Sequence, residues 1–598
     1  MSYTHISKLK FSLTLSLMLA VIGVIYAFST FRDVDVSDIK LTAGTESHAI
    51  NEVDPLALND YASQPATDGP AAGNYSAVKP SIAKPAAKAK MESEAYDLME
   101  QRHIVSGQAM SMMTRHIAPQ LAPQPAPLDR ENYAAKNENR FLSVALSPLS
   151  TFGLEVDSAS YSNVRRQINQ GGVPLPSSVR LEEMVNYFDY NFPQPGDGHP
   201  ISVMSDYAVA PWNPKHRLAM IGVKASDVTA RSDKGARITF LLDTSGSMNS
   251  HDKLPLLIRS FQTLLANLKP QDQVAIVTYA GSAGLVLPPT PVTESERIHQ
   301  ALANLSAGGS TAGGAGIQLA YDVARKQYDK SATNLVILAT DGDFNVGVSG
   351  DGELKSMIEK QRESGVFLSV IGMGSGNYQD AKMQVLAEAG NGVAHYLDSD
   401  IEAQRLFGSE LTRTLHIAAK DVKVQIEFNP AAVAQYRLLG YESRVMNAED
   451  FRDDKKDSGE IGAGHSVVAL YEIIPAGTAE TPDIERRYQT SLPAGSKAME
   501  LAYVKLRYKQ PDGDKGIEFD HLMTTKAKAI EAASVDLQWA SAVAELSLLL
   551  SESEHAGSSS LQGVLHRAKA VTFKQADAKR AEFIQLIERL SPMVLAQE

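Results

Sequence analysis

The chain has 598 residues, with 57 Lys and Arg against 70 Asp and Glu, and a formal net charge of −13. This acidic balance, with no long basic run, argues against a nucleic-acid binder. Cysteine is absent. That excludes disulfides, thiolate metal sites, cysteine nucleophiles and a lipid-modified N-terminal cysteine, and it suits an oxidising envelope compartment.

At the N-terminus, His5, Lys8 and Lys10 precede an uncharged, mostly apolar stretch over 11–31, and Arg32, Asp33, Asp35 and Asp38 follow it. About 20 such residues can span a hydrocarbon core, and positive residues ahead of them keep the N-terminus inside. The expectation is a single N-terminal helix anchored in the inner membrane, with the bulk of the chain periplasmic. The alternative is a signal segment cleaved near Ala27-Phe28-Ser29, which would release the chain into the periplasm. Residues 32–138 are rich in Ala, Pro, Ser and Asn and read as a tether, with a Met-bearing helical patch at 91–113.

Order is predicted from 139. Residues 139–230 form a flanking domain: a strand-like alternation over 141–157, helices at 158–171 and 180–188, and strands at 201–207 and 217–224 about a turn at Pro211-Trp212-Asn213-Pro214. Over 231–418 apolar strands (237–243, 273–280, 285–288, 334–340, 366–373, 393–397) alternate with amphipathic helices (254–268, 294–305, 314–328, 353–363, 379–389, 401–417). That alternation predicts an α/β, doubly wound, mostly parallel sheet, with 285–288 as an antiparallel edge. Residues 419–598 read as a β-rich domain (strands at 422–428, 436–442, 466–474 and 499–508) and then as helices including 534–550 and 570–590. Strands on both sides of the α/β segment, with no linker-like gap, predict one sandwich into which that segment is inserted.

Three loops at carboxyl ends of the parallel strands bear oxygen ligands. Asp243-Thr244-Ser245-Gly246-Ser247 follows the first strand, Gly308-Gly309-Ser310-Thr311 enters a helix, and Asp341-Gly342-Asp343 follows the fourth strand. Open parallel sheets bind ligands at such ends. A set of Asp243, Ser245, Ser247, Thr311 and Asp341 offers two carboxylates and three neutral hydroxyls, which suits a hard divalent cation and leaves it electrophilic. The glycines at 308–313 are followed by no Lys-Ser/Thr, which argues against a phosphate loop, and the spacing in Gly372-Met373-Gly374-Ser375-Gly376 does not fit a dinucleotide fingerprint. Asp343 and Asn345 read equally as supporting groups or as loop caps.

The five-residue set resembles the metal-ion-dependent adhesion site of von Willebrand factor A domains. The resemblance implies Mg2+ (or Mn2+) as cofactor and a protein partner that donates a carboxylate to the metal. Ser150-Thr151-Phe152-Gly153, Leu181-Glu182-Glu183-Met184 and Gly462-Ala463-Gly464-His465-Ser466 lie in stretches similar to the bacterial YfbK-like family, whose A domain stands between a characteristic flank and a C-terminal domain of unknown function. Arg165, Arg166, Glu182 and Glu183 in the flank read as solvated or interdomain charges. The expected function is metal-dependent protein binding without enzymatic activity. The alternatives are an envelope structural or assembly factor working without metal, and a metal-dependent hydrolase, which is disfavoured because hydroxyls stand where a catalytic base is needed.

Overall fold

A computed structural model describes residues 130–595 except 136, 155, 197, 228–234, 311–312, 343–350, 457, 481–498 and 574. The described residues fall in one compact unit, Ala118–Glu598. The anchor segment, nearly all of the tether and the 91–113 patch lie outside them. Among the described residues no helix is long and apolar enough to cross a membrane.

The α/β segment contains a six-stranded sheet in the order Ala394–Leu397, Phe367–Met373, Thr333–Thr340, Ala236–Asp243, Gln273–Tyr279 and Ala283–Pro291. Five strands are parallel, and the last runs antiparallel at the edge, longer than the 285–288 predicted for it. Helices cover both faces, so alternate side chains of one strand enter two cores. Ile238, Phe240 and Leu242 face one core and Leu241 the other.

The remaining strands form two antiparallel sheets that share a core. One runs Leu142–Ser143, Val433–Leu439, Ser466–Pro475, Asn213–Ala225, Ile201–Ala210; the other runs Val445–Met446, Leu149–Gly153, Ile417–Phe428, Glu500–Lys509, Gly516–Thr524. Ile221, Tyr471 and Val467 of the first pack with Phe152, Val424 and Ile426 of the second. Segments from both flanks of the α/β domain therefore build one sandwich, as the strand pattern predicts. The chain leaves the first sheet at Ala225 and returns to the second at Ile417. Both junctions are pinned to the same short segment. The Ala225 amide donates to the His465 carbonyl (2.9 Å), the Gly464 amide to the Ser226 carbonyl (2.9 Å) and the Ala463 amide to the His416 carbonyl (2.6 Å).

Four local expectations are corrected. The 141–157 alternation is two strands in different sheets, separated by a turn in which the Ser147 amide donates to the Ser143 carbonyl. Pro148, which has no amide to give a ladder, follows that turn. The strand predicted from 422 begins at Ile417. The predicted helix over 401–417 ends at Thr414 and contains a π-helical turn, Arg405–Glu410. The predicted 570–590 helix begins only at Ala578 and runs to Leu595, and a separate helix, Leu561–Ala570, precedes it.

Buried charge ties the three parts together. Arg165, on the flank helix Ala159–Asn169, donates to Asp398 (2.5 Å) and Glu402 (2.8 Å) of the α/β domain, to Glu582 (3.0 Å) of the last helix and to the Tyr187 hydroxyl (2.9 Å). Burial alone would raise the Glu402 carboxyl, but Arg405 and Arg165 outweigh it and hold the group down at about 2. Arg166 meets Glu131 (2.8 Å), Glu183 pairs with Arg180, and Glu182 is buried beside Gly440, so all four flank charges are interdomain or buried rather than solvated. Removing one partner of such a network leaves a buried uncompensated charge. Arg165→Ala is expected to cost about 3–5 kcal/mol in urea unfolding. Arg297→Ala, which breaks an exposed pair with Glu294 (3.2 Å), should cost about 0.5 kcal/mol or less. Equal, small effects would contradict a bridging role for Arg165.

Candidate metal centre

The strand Ala236–Asp243 has the fourth strand, Thr333–Thr340, on one side and the second, Gln273–Tyr279, on the other, so the sheet order reverses at its carboxyl end. Such a switch point leaves a crevice. Leu242 lies opposite Ala339, which sets Asp243 beside Thr340 and one residue from Asp341. Asp243 and Asp341 are both 0% exposed. The Thr340 hydroxyl donates to Asp243 Oδ2 (2.8 Å) and accepts from the Gly342 amide (2.9 Å), which joins the two loops. Gly342 has φ +87°, and a Cβ there would stand 2.7 Å from Gln379 Cβ, so only glycine permits this turn.

Asp243 Oδ1 accepts from the Ser245 amide (2.9 Å), and Oδ2 also accepts from the Tyr279 hydroxyl (3.2 Å). Ser245 Oγ and Ser247 Oγ lie 3.0 Å apart. The glycine loop is laced to this turn by the Gly308 amide donating to the Thr244 carbonyl (2.8 Å) and the Gly246 amide donating to the Gly309 carbonyl (3.0 Å). The described structure therefore brings together Asp243, Ser245, Ser247 and Asp341, and delivers the glycine loop up to Ser310. Thr311, Asp343 and Asn345 lie outside the described residues.

Two further residues belong to this centre. Lys253, buried just ahead of the helix Leu254–Asn267, donates from Nζ to Asp341 Oδ2 (2.9 Å) and to Asn377 Oδ1 (2.6 Å). Asn377 Nδ2 donates to the same Asp341 oxygen (3.0 Å). A lysine ahead of an apolar helix reads as solvated, and nothing in the sequence marks it as facing Asp341.

Electrostatically the centre is short of positive charge. Burial, reinforced by the neighbouring charge of Asp341, pushes the Asp243 carboxyl up to about 6 against the hydrogen bonds from Ser245 and Thr340 that pull it down. The donors are all oxygen, two of them carboxylates, and a cation (the Lys253 ammonium) already rests on one carboxylate. This chemistry fits a hard divalent ion held by Asp243, Ser245 and Ser247, with Asp341 beside it and Thr311 completing the set by resemblance. Among the described residues no cluster of three or more His, Cys, Asp or Glu is present.

Comparisons with known proteins agree with this architecture. Residues 238–408 match the von Willebrand factor type A domain, 127–220 match a model described as von Willebrand factor, and 413–593 match one described as the C-terminal region of the uncharacterized protein YfbK. The chain is thus a von Willebrand A-domain protein. It is 41% identical over 467 residues to the uncharacterized protein YfbK of Escherichia coli (strain K12), covering 76% of this chain and 80% of that protein. It belongs to the YfbK family. A shorter similarity, 26% over 167 residues, links 27% of the chain to 18% of the calcium-activated chloride channel regulator 1 of Bos taurus. Among solved structures, a von Willebrand factor type A protein from Catenulispora acidiphila is similar at 14% identity and a TM-score of 0.36, covering 59% of this chain and 80% of that one.

An acid whose folded-state pKa lies above its unfolded value stabilises the fold at low pH. That contribution is lost as pH rises through the interval, here from about 4 to about 6. At pH 7 without metal, ionised Asp243 is therefore a destabilising group. Asp243→Asn is expected to stabilise the metal-free protein at pH 7 by about 1–3 kcal/mol, the difference shrinking toward pH 4, in denaturant unfolding followed across that range. A loss of stability at pH 7 would contradict the picture of an under-compensated carboxylate.

Proposed function

We propose that this protein is an exported, membrane-anchored binding protein. Its A domain holds Mg2+ (or Mn2+) through Asp243, Ser245, Ser247, Thr311 and Asp341 and uses the open coordination position to capture a carboxylate of a protein partner. The single observation that carries the reading is the pair of fully buried carboxylates, Asp243 and Asp341, at the carboxyl ends of adjacent parallel strands and beside the paired Ser245 and Ser247 hydroxyls. Burying two like charges so close together is unfavourable unless a cation shares them. Hydroxyls occupy the positions a general base would need, which favours binding over hydrolysis. The apolar segment 11–31 serves as the anchor, and residues 32–138 serve as the tether that presents the domain in the periplasm.

A second reading, an envelope assembly factor that works without metal, draws on the Lys253 ammonium, which already compensates Asp341. Calorimetric titration of the purified full-length chain with Mg2+ and Mn2+ separates the two. Saturable binding at one site is expected, and it should be lost in Asp243→Ala and in the Ser245→Ala/Ser247→Ala double variant. Crosslinking from membranes should capture partners with the wild type and fail with the same variants or with chelator. Unchanged metal binding in both variants would refute the site. Partner capture that persists without metal would favour the assembly reading.

A further inference from the structure

The Lys253 side chain occupies a built slot. Its stem crosses Gly374, where φ is +80° and a Cβ would overlap the lysine methylenes. The Tyr396 hydroxyl donates to the Gly374 carbonyl (2.5 Å) and fixes that turn. The next glycine is held by an incoming strap. The Gly376 amide donates to Glu131 Oε1 (2.8 Å), and the Arg130 amide donates to the Gly376 carbonyl (2.8 Å). Asn377, on the same loop, accepts a hydrogen bond from the ammonium through Oδ1 and donates through Nδ2 to the Asp341 oxygen to which the ammonium also donates. A buried, doubly hydrogen-bonded ammonium is costly to place and is fixed here by three separate segments.

We infer that Lys253 is a specificity-determining residue of the metal centre: a tethered cation that weakens capture of metal alone and makes the metal bind tightly only together with one carboxylate ligand. The inference rests on the metal-binding reading above. Charge counting gives the reason. Asp243, Asp341 and Lys253 together carry −1. A divalent ion brings the buried centre to +1, and a single carboxylate from a ligand returns it to neutrality. Without Lys253 the centre carries −2, the metal alone neutralises it, and an added carboxylate leaves an excess negative charge. In a low-dielectric crevice the neutral combination is favoured. The lysine thus couples metal to an acidic ligand and discourages a loaded but unliganded state.

The test is Mn2+ affinity of the full-length chain, measured in sodium chloride and in sodium acetate of equal ionic strength, for the wild type, Lys253→Met and Lys253→Arg. In chloride, Lys253→Met is expected to bind Mn2+ at least tenfold more tightly than the wild type, with Lys253→Arg staying near the wild type because it keeps the charge. Acetate should tighten Mn2+ binding severalfold in the wild type and not in Lys253→Met. Asn377→Ala, which removes one anchor of the ammonium on an external loop, should tighten metal binding in the same direction by a smaller factor, and it serves if Lys253→Met does not fold. If the wild type binds Mn2+ but neither Lys253→Met nor Asn377→Ala binds it more tightly, the inference is overturned while the metal site stands. If no form binds Mn2+, both the site and the inference fall.

Discussion

The centre depends on the register between two neighbouring parallel strands, Ala236–Asp243 and Thr333–Thr340. Because Leu242 stands opposite Ala339, the polar residues that end the two strands, Asp243 and Thr340, emerge side by side at the same edge of the sheet. The strands can hold that register because both faces are covered by helices and every residue of the pair but Arg237 and Thr333 is buried. A slip of one residue would place Asp243 opposite an alanine and turn its neighbours into the wrong cores. Two buried carboxylates at adjacent strand ends are the direct result, and the Thr340 hydroxyl between them fixes their geometry.

The domain that carries this edge is held at both ends by a sandwich made from sequences 200 residues apart. Ser466–Pro475 lies between Val433–Leu439 and Asn213–Ala225, so a strand from before the A domain and strands from after it share one ladder. The segment around Gly464 and His465 ties both junctions. His465 also meets Glu410, in the π-helical turn of the A domain's last helical region (3.0 Å). The Arg165 network adds charge contacts from the flank helix and the last helix to that same region. The A domain is thus fixed to the rest of the molecule at its chain junctions and again at Asp398, just past the carboxyl end of its last strand.

Much of this was legible in the chain, for definable reasons. Long buried parallel strands announce themselves as apolar runs, and two of the three oxygen-bearing loops, those at Asp243 and Asp341, directly follow such runs. The inserted sandwich was foreseeable from strand pattern on both sides. Elements at the surface were not. Gly516–Thr524 is an edge strand in which only Met523 is buried, so it lacks the long apolar run that marks a buried strand. Leu561–Ala570 is short and buries little beyond Val564 and Ala568. Lys253 and Asn377 escaped because their roles come from a third loop, Gly374–Gln379, that meets the first two only in the folded sheet. Arg165 and Glu183 were open between solvated and interdomain charges, because their partners, Asp398 and Glu402 for Arg165 and Arg180 for Glu183, meet them only in the folded chain.

The central claim is that a divalent ion sits at the switch point among Asp243, Ser245, Ser247 and Asp341. Anomalous diffraction from crystals of the protein grown with Mn2+ tests it most directly. The account predicts a single strong peak within about 2–2.5 Å of the Ser245 and Ser247 hydroxyl oxygens. Absence of a peak there at saturating Mn2+, with the Lys253 ammonium still seated on Asp341, would contradict it.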